Sequence, residues 1–272
     1  MRRAESSGGT RAGWIEAGHL LGEGIGLVFT DRTGGVSPPP YDTLNLDYRR
    51  GDGAENVRAN RHKVAAGLGI AAGRFVYLEQ VHGLRVERAG EEDAGDGPEG
   101  RGFSFAATDG AFTTETGLAL GVLTADCVPL ALAAPQRGVV AMLHAGWRGT
   151  IGDIAAVALR RLAEVLGLHP GKVRAVMGPA IGPCCYRVDE GRARLFVERY
   201  GEESGVVSRK GGYRLDLLQA NRMNLLAAGV REDNIGRVGG CTCCEARYFS
   251  FRREGVTGRQ GAFVFLRQGS DG

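Results

Sequence analysis

The chain contains no run of about 18 uninterrupted apolar residues, so no membrane-spanning helix is expected. Its opening, MRRAESSGGTRAGW, carries positive charge but no apolar stretch after it, which predicts no secretory signal. Six cysteines in 272 residues, with no such signal, point to reduced thiols and a cytoplasmic setting. Excess charge of one sign is also missing. Thirty-four Lys and Arg face 31 Asp and Glu, a net +3, far from the clustered charge of a nucleic-acid binder. The pairs Arg49-Arg50, Arg160-Arg161 and Arg252-Arg253 read as solvated surface. Histidine is scarce, with five in all. No repeat at solenoid spacing is present.

Glycine is abundant. Forty-five residues are more than twice the usual share of about 7%. They follow no fixed period, which predicts many tight turns. Hydrophobic residues at 43% and charged residues at 24% are ordinary for a globular chain. The length suits one large domain or two modest ones. Residues 1–13 are polar and expected to fray. The charged, glycine-rich stretch 89–107 reads as an insertion within one domain spanning 14–268.

Hydrophobic periodicity predicts strands at 26–30, 75–78, 84–88, 118–124, 128–134, 139–144, 173–177, 238–242, 248–251 and 262–266. It predicts helices at 54–68, 151–167, 190–200 and 216–228. Short strands and helices interleave with hairpins, so the expected class is α+β with mixed sheets.

The chemistry gathers at the ends of TADCVPLALAAPQRGVVAMLHAGWRG (124–149). A turn centred between Gln136 and Arg137 would place Cys127 and His144 one register step from a direct cross-strand pair. Both then sit at one open end of the sheet. His82 lies between two predicted strands and would converge on them if that hairpin lay beside this one. Two histidines and a cysteine are metal ligands, and three protein ligands leave the fourth tetrahedral position of a catalytic zinc open. The competing reading of His144 is a hydrogen-bonded core residue. Arg148, in a glycine-bracketed turn, is a candidate anion contact, aided by backbone amides opening a helix at Thr150.

Six ordered blocks then resemble one family. QVHG (80–83), TADCVPL (124–130), LHAGWRGT (143–150), GPAIGPCCYRVD (178–189), LDLLQANRMNLLAAGV (215–230) and the segment from CTCC to YFSFRREGVTGR (241–259) are similar to the laccase-domain family, with GGVSPPPYDTLNL (34–46) before them. That family is also called YfiH-type, polyphenol-oxidase-type or peptidoglycan editing factor. The resemblance implies a single layered α/β/β/α domain with metal ligands at His82, Cys127 and His144. It implies Zn2+, with Cu2+ as the alternative, and phosphorolysis of purine nucleosides such as adenosine, inosine and methylthioadenosine to a free base and ribose 1-phosphate. Adenosine deamination is also ascribed to it. The expected partners are therefore purine nucleosides and phosphate, with no nucleic acid and no membrane, on a monomer or weak homo-oligomer.

Phosphorolysis needs an anion site beside the anomeric carbon. Arg148 is the first candidate, and Arg32 with Ser37 the second. Asn45 and Gln80 are candidates for a ribose or base edge. Deamination would need a proton shuttle, with Asp126 or Glu79 as candidates, and it lacks the H-x-E and P-C-x-x-C signature of other zinc deaminases. A copper polyphenol oxidase would need a further histidine-held cluster, and only His19, His62 and His169 remain, scattered along the chain. Met142 is not obviously placed as an axial ligand. A cysteine hydrolase acting on peptidoglycan precursors, with Cys127 as nucleophile and a histidine as base, is the rival mechanism. A metal- or partner-binding protein without turnover is a further rival. The remaining cysteines, 184, 185, 241, 243 and 244, read as packed thiols rather than a second metal site, because C-x-C-C is not a zinc-ribbon spacing.

Overall fold

The structure is a computed structural model and describes residues 13–95, 103–201, 205–209 and 212–268. Nearly all of the leader expected to fray, 1–12, and the middle of the glycine-rich stretch, 96–102, lie outside the described residues. The strands in chain order are β1 Trp14–Glu16, β2 Ile25–Thr30, β3 Phe75–Tyr77, β4 Val86–Arg88, β5 Gly110–Thr113, β6 Ala119–Thr124 and β7 Val128–Ala134. They continue with β8 Val139–Ala145, β9 Arg174–Met177, β10 Arg187–Val188, β11 Val206–Arg209, β12 Gly212–Leu215, β13 Ile235–Arg237 and β14 Gln260–Leu266. The helices are α1 Gly18–Leu21, α2 Ala54–Leu68, α3 Trp147–Ile151, α4 Ile154–Leu166, α5 Glu190–Tyr200, α6 Leu217–Ala227 and α7 Phe251–Glu254.

Two mixed sheets stack face to face. One has the order β1-β2-β14-β6-β3 and the other β13-β9-β7-β8-β5-β4. Alternation along each strand builds the layers. In β14, Ala262 and Val264 point between the sheets, while Phe263 and Phe265 point outward to Val64 and Ala65 of α2. In β8, Val140 and Met142 point between the sheets, while Ala141 and Leu143 point outward to Ile154, Ala158 and Leu162 of α4 and Leu225 of α6. Helix, sheet, sheet, helix is the layering the resemblance implied. Both faces of β6, β7 and β8 are covered, which is why these strands read as continuous apolar runs.

The central hairpin has the expected register. Val128 faces Ala145, Pro129 faces His144 and Ala134 faces Val139. A short 3-10 turn, Pro135–Arg137, joins the strands and ends at Gly138 in the left-handed region, φ 52°. Strands on both sides of 89–107 enter both sheets, β3 and β4 before it and β5 and β6 after it.

Several expectations are corrected. β3 and β4, expected to flank His82 as a hairpin, lie in different sheets, so the His82 loop bridges the two. The helix expected over 151–167 is α4, which begins three residues later at Ile154, and the separate short α3 ends at Ile151. Asp153 has φ 65° and caps α4, its carboxylate accepting from Ala156 N at 3.0 Å. The segments 238–242 and 248–251 are not strands. The first makes one bridge, Ala180 to Cys241. In the second, Tyr248, Phe249 and Ser250 form a buried loop that leads into α7 at exposed Phe251, and Gln260 accepts from Phe249 N at 2.8 Å and donates to Phe249 O at 3.1 Å. The strands β1, β5, β10, β11 and β12 are too short for periodicity to reveal.

Leu132 is fully buried in the layer between β7 and the helices. Leu132→Ala is expected to lower the unfolding free energy by about 2–5 kcal/mol, read by urea denaturation, with the folded circular-dichroism spectrum retained.

Candidate metal centre and pocket

His82, Cys127 and His144 converge. One ligand atom from each lies within 4.8 Å of the others, and Cys127 Sγ is 3.8 Å from His82 Nε2. The three come from different places. His144 is in β8 on the face between the sheets, Cys127 is on the turn between β6 and β7, and His82 is on the loop that joins the sheets. His144 is buried, Cys127 half-buried and His82 exposed, so the set opens to solvent on one side.

A residue that composition and spacing did not reveal organises this set. Asp109 is fully buried at the start of β5. Its carboxylate accepts from three consecutive amides, Val81 N at 3.1 Å, His82 N at 2.9 Å and Gly83 N at 2.7 Å. It also lies 2.8 Å from His144 Nδ1, which leaves Nε2 toward the site. A carboxylate behind a ligating histidine is the usual outer support of a metal centre. The His82 loop needs that support, since His82 sits in the left-handed region at φ 62°. Asp126 does a parallel job beside Cys127. Its φ is 99°, and its carboxylate accepts from Thr242 Oγ1, Ser250 Oγ and Arg252 N, each at 2.7 Å.

The donor set fits a metal. Burial alone would raise the Cys127 thiol and lower the His144 ring. Their mutual attraction, with a hydrogen bond from His82 to the sulfur and one from His144 to Asp109, outweighs burial, so Cys127 falls to about 6 and His144 rises to about 9. At neutral pH this is a thiolate beside the His144 imidazolium; a metal ion would take the place of the His144 proton, leaving one sulfur and two ring nitrogens as donors. Gly146 keeps the room, because a Cβ there would meet His82 Cδ2 at 2.7 Å and Cys127 Sγ at 3.0 Å.

The set lines a cavity of about 400 Å³, a size suited to a small molecule. Five arginines ring it: Arg49, Arg50, Arg192, Arg252 and Arg259. Trp147, Tyr186, Phe251, Ile181 and Leu123 supply apolar wall. Buried Asp47 anchors two of the arginines, accepting from Arg49 Nε at 3.1 Å and Arg50 Nε at 2.9 Å. Burial and the nearby Arg50 charge lower Arg259 to about 10, so it stays charged at neutral pH. Three guanidiniums around one carboxylate leave positive charge for an anion to meet. Arg192 stacks on Trp147, 4.5 Å from the ring centre, and its Nε has no hydrogen-bond partner among the described residues.

The other expected site residues fall elsewhere. Arg148, the anion contact the sequence suggested, is exposed, lies 4.5 Å from the Trp147 ring centre and is not among the residues lining the cavity. Thr150 does not open a helix toward the site. It lies inside α3, its hydroxyl taken by Asn221 at 2.9 Å and its carbonyl by Asn224 at 2.8 Å. Arg32 pairs with Glu254 at 2.6 Å and lies outside the cavity. Ser37 and Asn45 are buried and both bond to Asp52, at 2.6 and 3.0 Å, so they brace the loop that carries Arg49 and Arg50. Gln80 lines the cavity, but its amide is tied to Leu123, accepting from N at 2.8 Å and donating to O at 2.8 Å. Glu79 accepts from Ala107 N at 3.0 Å and does not reach the cavity. Met142 is in the layer between the sheets, and His19, His62 and His169 join no metal-ligating group among the described residues.

Comparison with known proteins identifies the family and the fold. The family model described as "Multi-copper polyphenol oxidoreductase laccase" matches residues 26–267. The chain belongs to this laccase-domain family. A member from Geobacillus stearothermophilus, named purine nucleoside phosphorylase YlmD, is 38% identical over 261 residues, covering 94% of this chain and 95% of that protein. A Deinococcus radiodurans member named purine nucleoside phosphorylase is 40% identical over 248 residues, covering 90% of this chain and 91% of that one. The crystal structure of the Geobacillus YlmD superposes with a TM-score of 0.90 at 37% identity, over 95% of this chain and 98% of that one. A Bacillus licheniformis hypothetical protein, YfiH, gives 0.89 at 33% identity, over 94% and 97%. Among the described residues, no helix is long and apolar enough to cross a membrane.

Asp109 makes a testable joint. Asp109→Asn keeps the shape but gives an NH2 group to amides that need an acceptor. It is expected to weaken metal binding about 10–100-fold, read by chelator competition. The Asp109 carboxyl is held below the usual 3.8: burial opposes the charge, but the His144 ring and the loop amides outweigh it. Its ionised form therefore favours the fold above that value, and the contribution is lost as pH falls below about 4. The acid limb of thermal stability is expected to be shallower in Asp109→Asn than in the parent.

Proposed function

We propose that this protein phosphorolyses purine nucleosides, releasing a free base and ribose 1-phosphate. One juxtaposition carries the reading: a metal-ligating set of two histidines and a cysteine opens into the same cavity as five arginines and three aromatic side chains. Relatives named purine nucleoside phosphorylase support it. Adenosine, inosine and methylthioadenosine are the substrates to test first.

In this reaction a phosphate oxygen bonds to the ribose anomeric carbon, and the bond from that carbon to the purine nitrogen breaks. The base leaves with the electron pair and takes up a proton. Arg49, Arg50 and Arg259 hold the phosphate dianion, because their surplus charge over Asp47 is otherwise unanswered. Trp147, Tyr186 and Phe251 flank the flat base, and the unpaired Arg192 Nε donates to an acceptor on it. Burial holds the Tyr186 hydroxyl above its ordinary value of 10, so it stays protonated and can donate. His82, Cys127 and His144 would hold Zn2+, which supplies Lewis acidity toward a substrate or phosphate oxygen. Deamination of adenosine is less well supplied, because the carboxylates of Asp126 and Glu79 are both engaged by other donors.

Purified protein with zinc and phosphate is expected to convert inosine to hypoxanthine, and Cys127→Ala or His144→Ala to abolish the conversion. Absence of turnover across several purine nucleosides in metal-replete protein would sink the reading. Arg50→Ala is expected to raise KM for phosphate about 10–100-fold, with a smaller change in KM for nucleoside.

A second reading has its own observation. Cys127, His144 and Asp109 stand in line as nucleophile, base and orienting acid. A cysteine hydrolase would keep Cys127 open to stoichiometric alkylation at saturating zinc. Under the phosphorylase reading, zinc is expected to protect Cys127 from iodoacetamide, followed by peptide mass spectrometry.

A further inference from the structure

Four other cysteines form a second cluster. The sulfurs of Cys184, Cys185, Cys241 and Cys244 all lie within 4.8 Å of one another, outside the cavity. Cys184 Sγ and Cys185 Sγ are each 3.4 Å from Cys244 Sγ. Sulfurs bound to a tetrahedral zinc at about 2.3 Å stand about 3.8 Å apart, so the observed spacing needs only a small adjustment.

We propose that these four side chains bind a structural Zn2+ ion, separate from the set at His82, Cys127 and His144. The backbone is built for it. C-x-C-C contains a C-x2-C pair, Cys241 and Cys244, and half-buried Cys243 between them stays outside the group of four sulfurs. That pair sits on a tight turn in which Cys244 N and Glu245 N both donate to Cys241 O, at 3.1 and 3.0 Å. The opposite pair sits on another, in which Cys185 N and Tyr186 N both donate to Gly182 O, each at 3.0 Å. The Ala180–Cys241 bridge holds the two turns face to face, and Gly182 N donates to Cys241 Sγ at 3.2 Å, as it would to a thiolate.

Charge and access agree. Four thiolates around Zn2+ carry a net charge of −2. Arg253 Nη1 donates to the carbonyls of Thr242 at 2.7 Å and Cys243 at 3.1 Å, and Arg214 donates to the carbonyl of Cys184. Both guanidiniums therefore lie beside the cluster. Cys184 and Cys244 are exposed, so packing does not explain them and an ion has a way in. Among the described residues all four are free thiols, and the 3.4 Å from Cys184 and Cys185 to Cys244 is well beyond a disulfide bond of about 2.05 Å. Four protein ligands leave no open position, which marks a structural ion rather than a catalytic one. It would clip the turn carrying Tyr186 to the segment whose Thr242, Ser250 and Arg252 grip Asp126.

Native mass spectrometry with elemental analysis of protein purified under reducing conditions tests this without any variant: two zinc ions per chain are expected. Cys184→Ser with Cys244→Ser should leave one, His82→Ala with His144→Ala should also leave one, and Cys243→Ser should keep two. Cobalt loaded into the His82→Ala, His144→Ala protein should give the intense visible absorption of a tetrahedral thiolate site and lose it on adding Cys244→Ser. A single ion in the parent, iron in the cluster, or a disulfide at Cys244 in the reduced preparation would each overturn the proposal. None of these readouts depends on nucleoside turnover, so they separate this inference from the proposed activity.

Discussion

The Asp109 carboxylate is the interaction on which the site depends. It lies at the head of β5, beside the central strand β8, and meets two elements at once. To one side it collects three successive amides of the loop that leaves the first sheet. To the other it fixes the ring of His144. A buried carboxylate with four donors is fully compensated, and each donor belongs to the placing of a ligand. The loop's strained backbone at His82 is affordable because the carboxylate over-determines it. Asp126 repeats the device for Cys127, tying that turn to the 242–252 segment. Two inward carboxylates thus hold in place three candidate ligands that arrive from three separate parts of the chain.

The cavity around them is arranged by charge. Asp47 gathers two arginines and a third approaches, so the local balance is positive although the chain as a whole is nearly neutral. Ser37, Asn45 and Asp52 carry no ligand of their own but make the loop under Arg49 and Arg50 rigid. Arg148 and Arg192 each stand 4.5 Å from the Trp147 ring centre, and of the two only Arg192 lines the cavity.

What the sequence made legible follows from periodicity and local turns. The helix at 54–68, the continuous central strands and the hairpin register were readable because apolar spacing and a single Pro-Gly turn decide them. The metal set was readable because cysteine and histidine are few. The partition of β3 and β4 between two sheets was not, since a loop's destination is a tertiary choice. Nor was Asp109, a lone acid before a short strand with nothing in its neighbours to mark it. Arg49, Arg50 and Arg252 are exposed, as paired arginines are expected to be, and the pairing alone does not reveal that their exposed side chains also line the cavity. Arg148 drew attention for its glycine neighbours, yet α3 turns it outward.

The hairpin register has a consequence for how the chain can go wrong. Side chains alternate along β8, so His144 looks between the sheets while Leu143 looks toward the helices. A slip of one residue against β7 would exchange them. The apolar layers would tolerate the swap better than the site would, since a leucine would stand where the imidazole belongs and Asp109 would face it with a bare charge. The candidate ligand set therefore depends on the register: a misregistered chain could be compact, yet His144 would no longer stand beside Cys127 and His82.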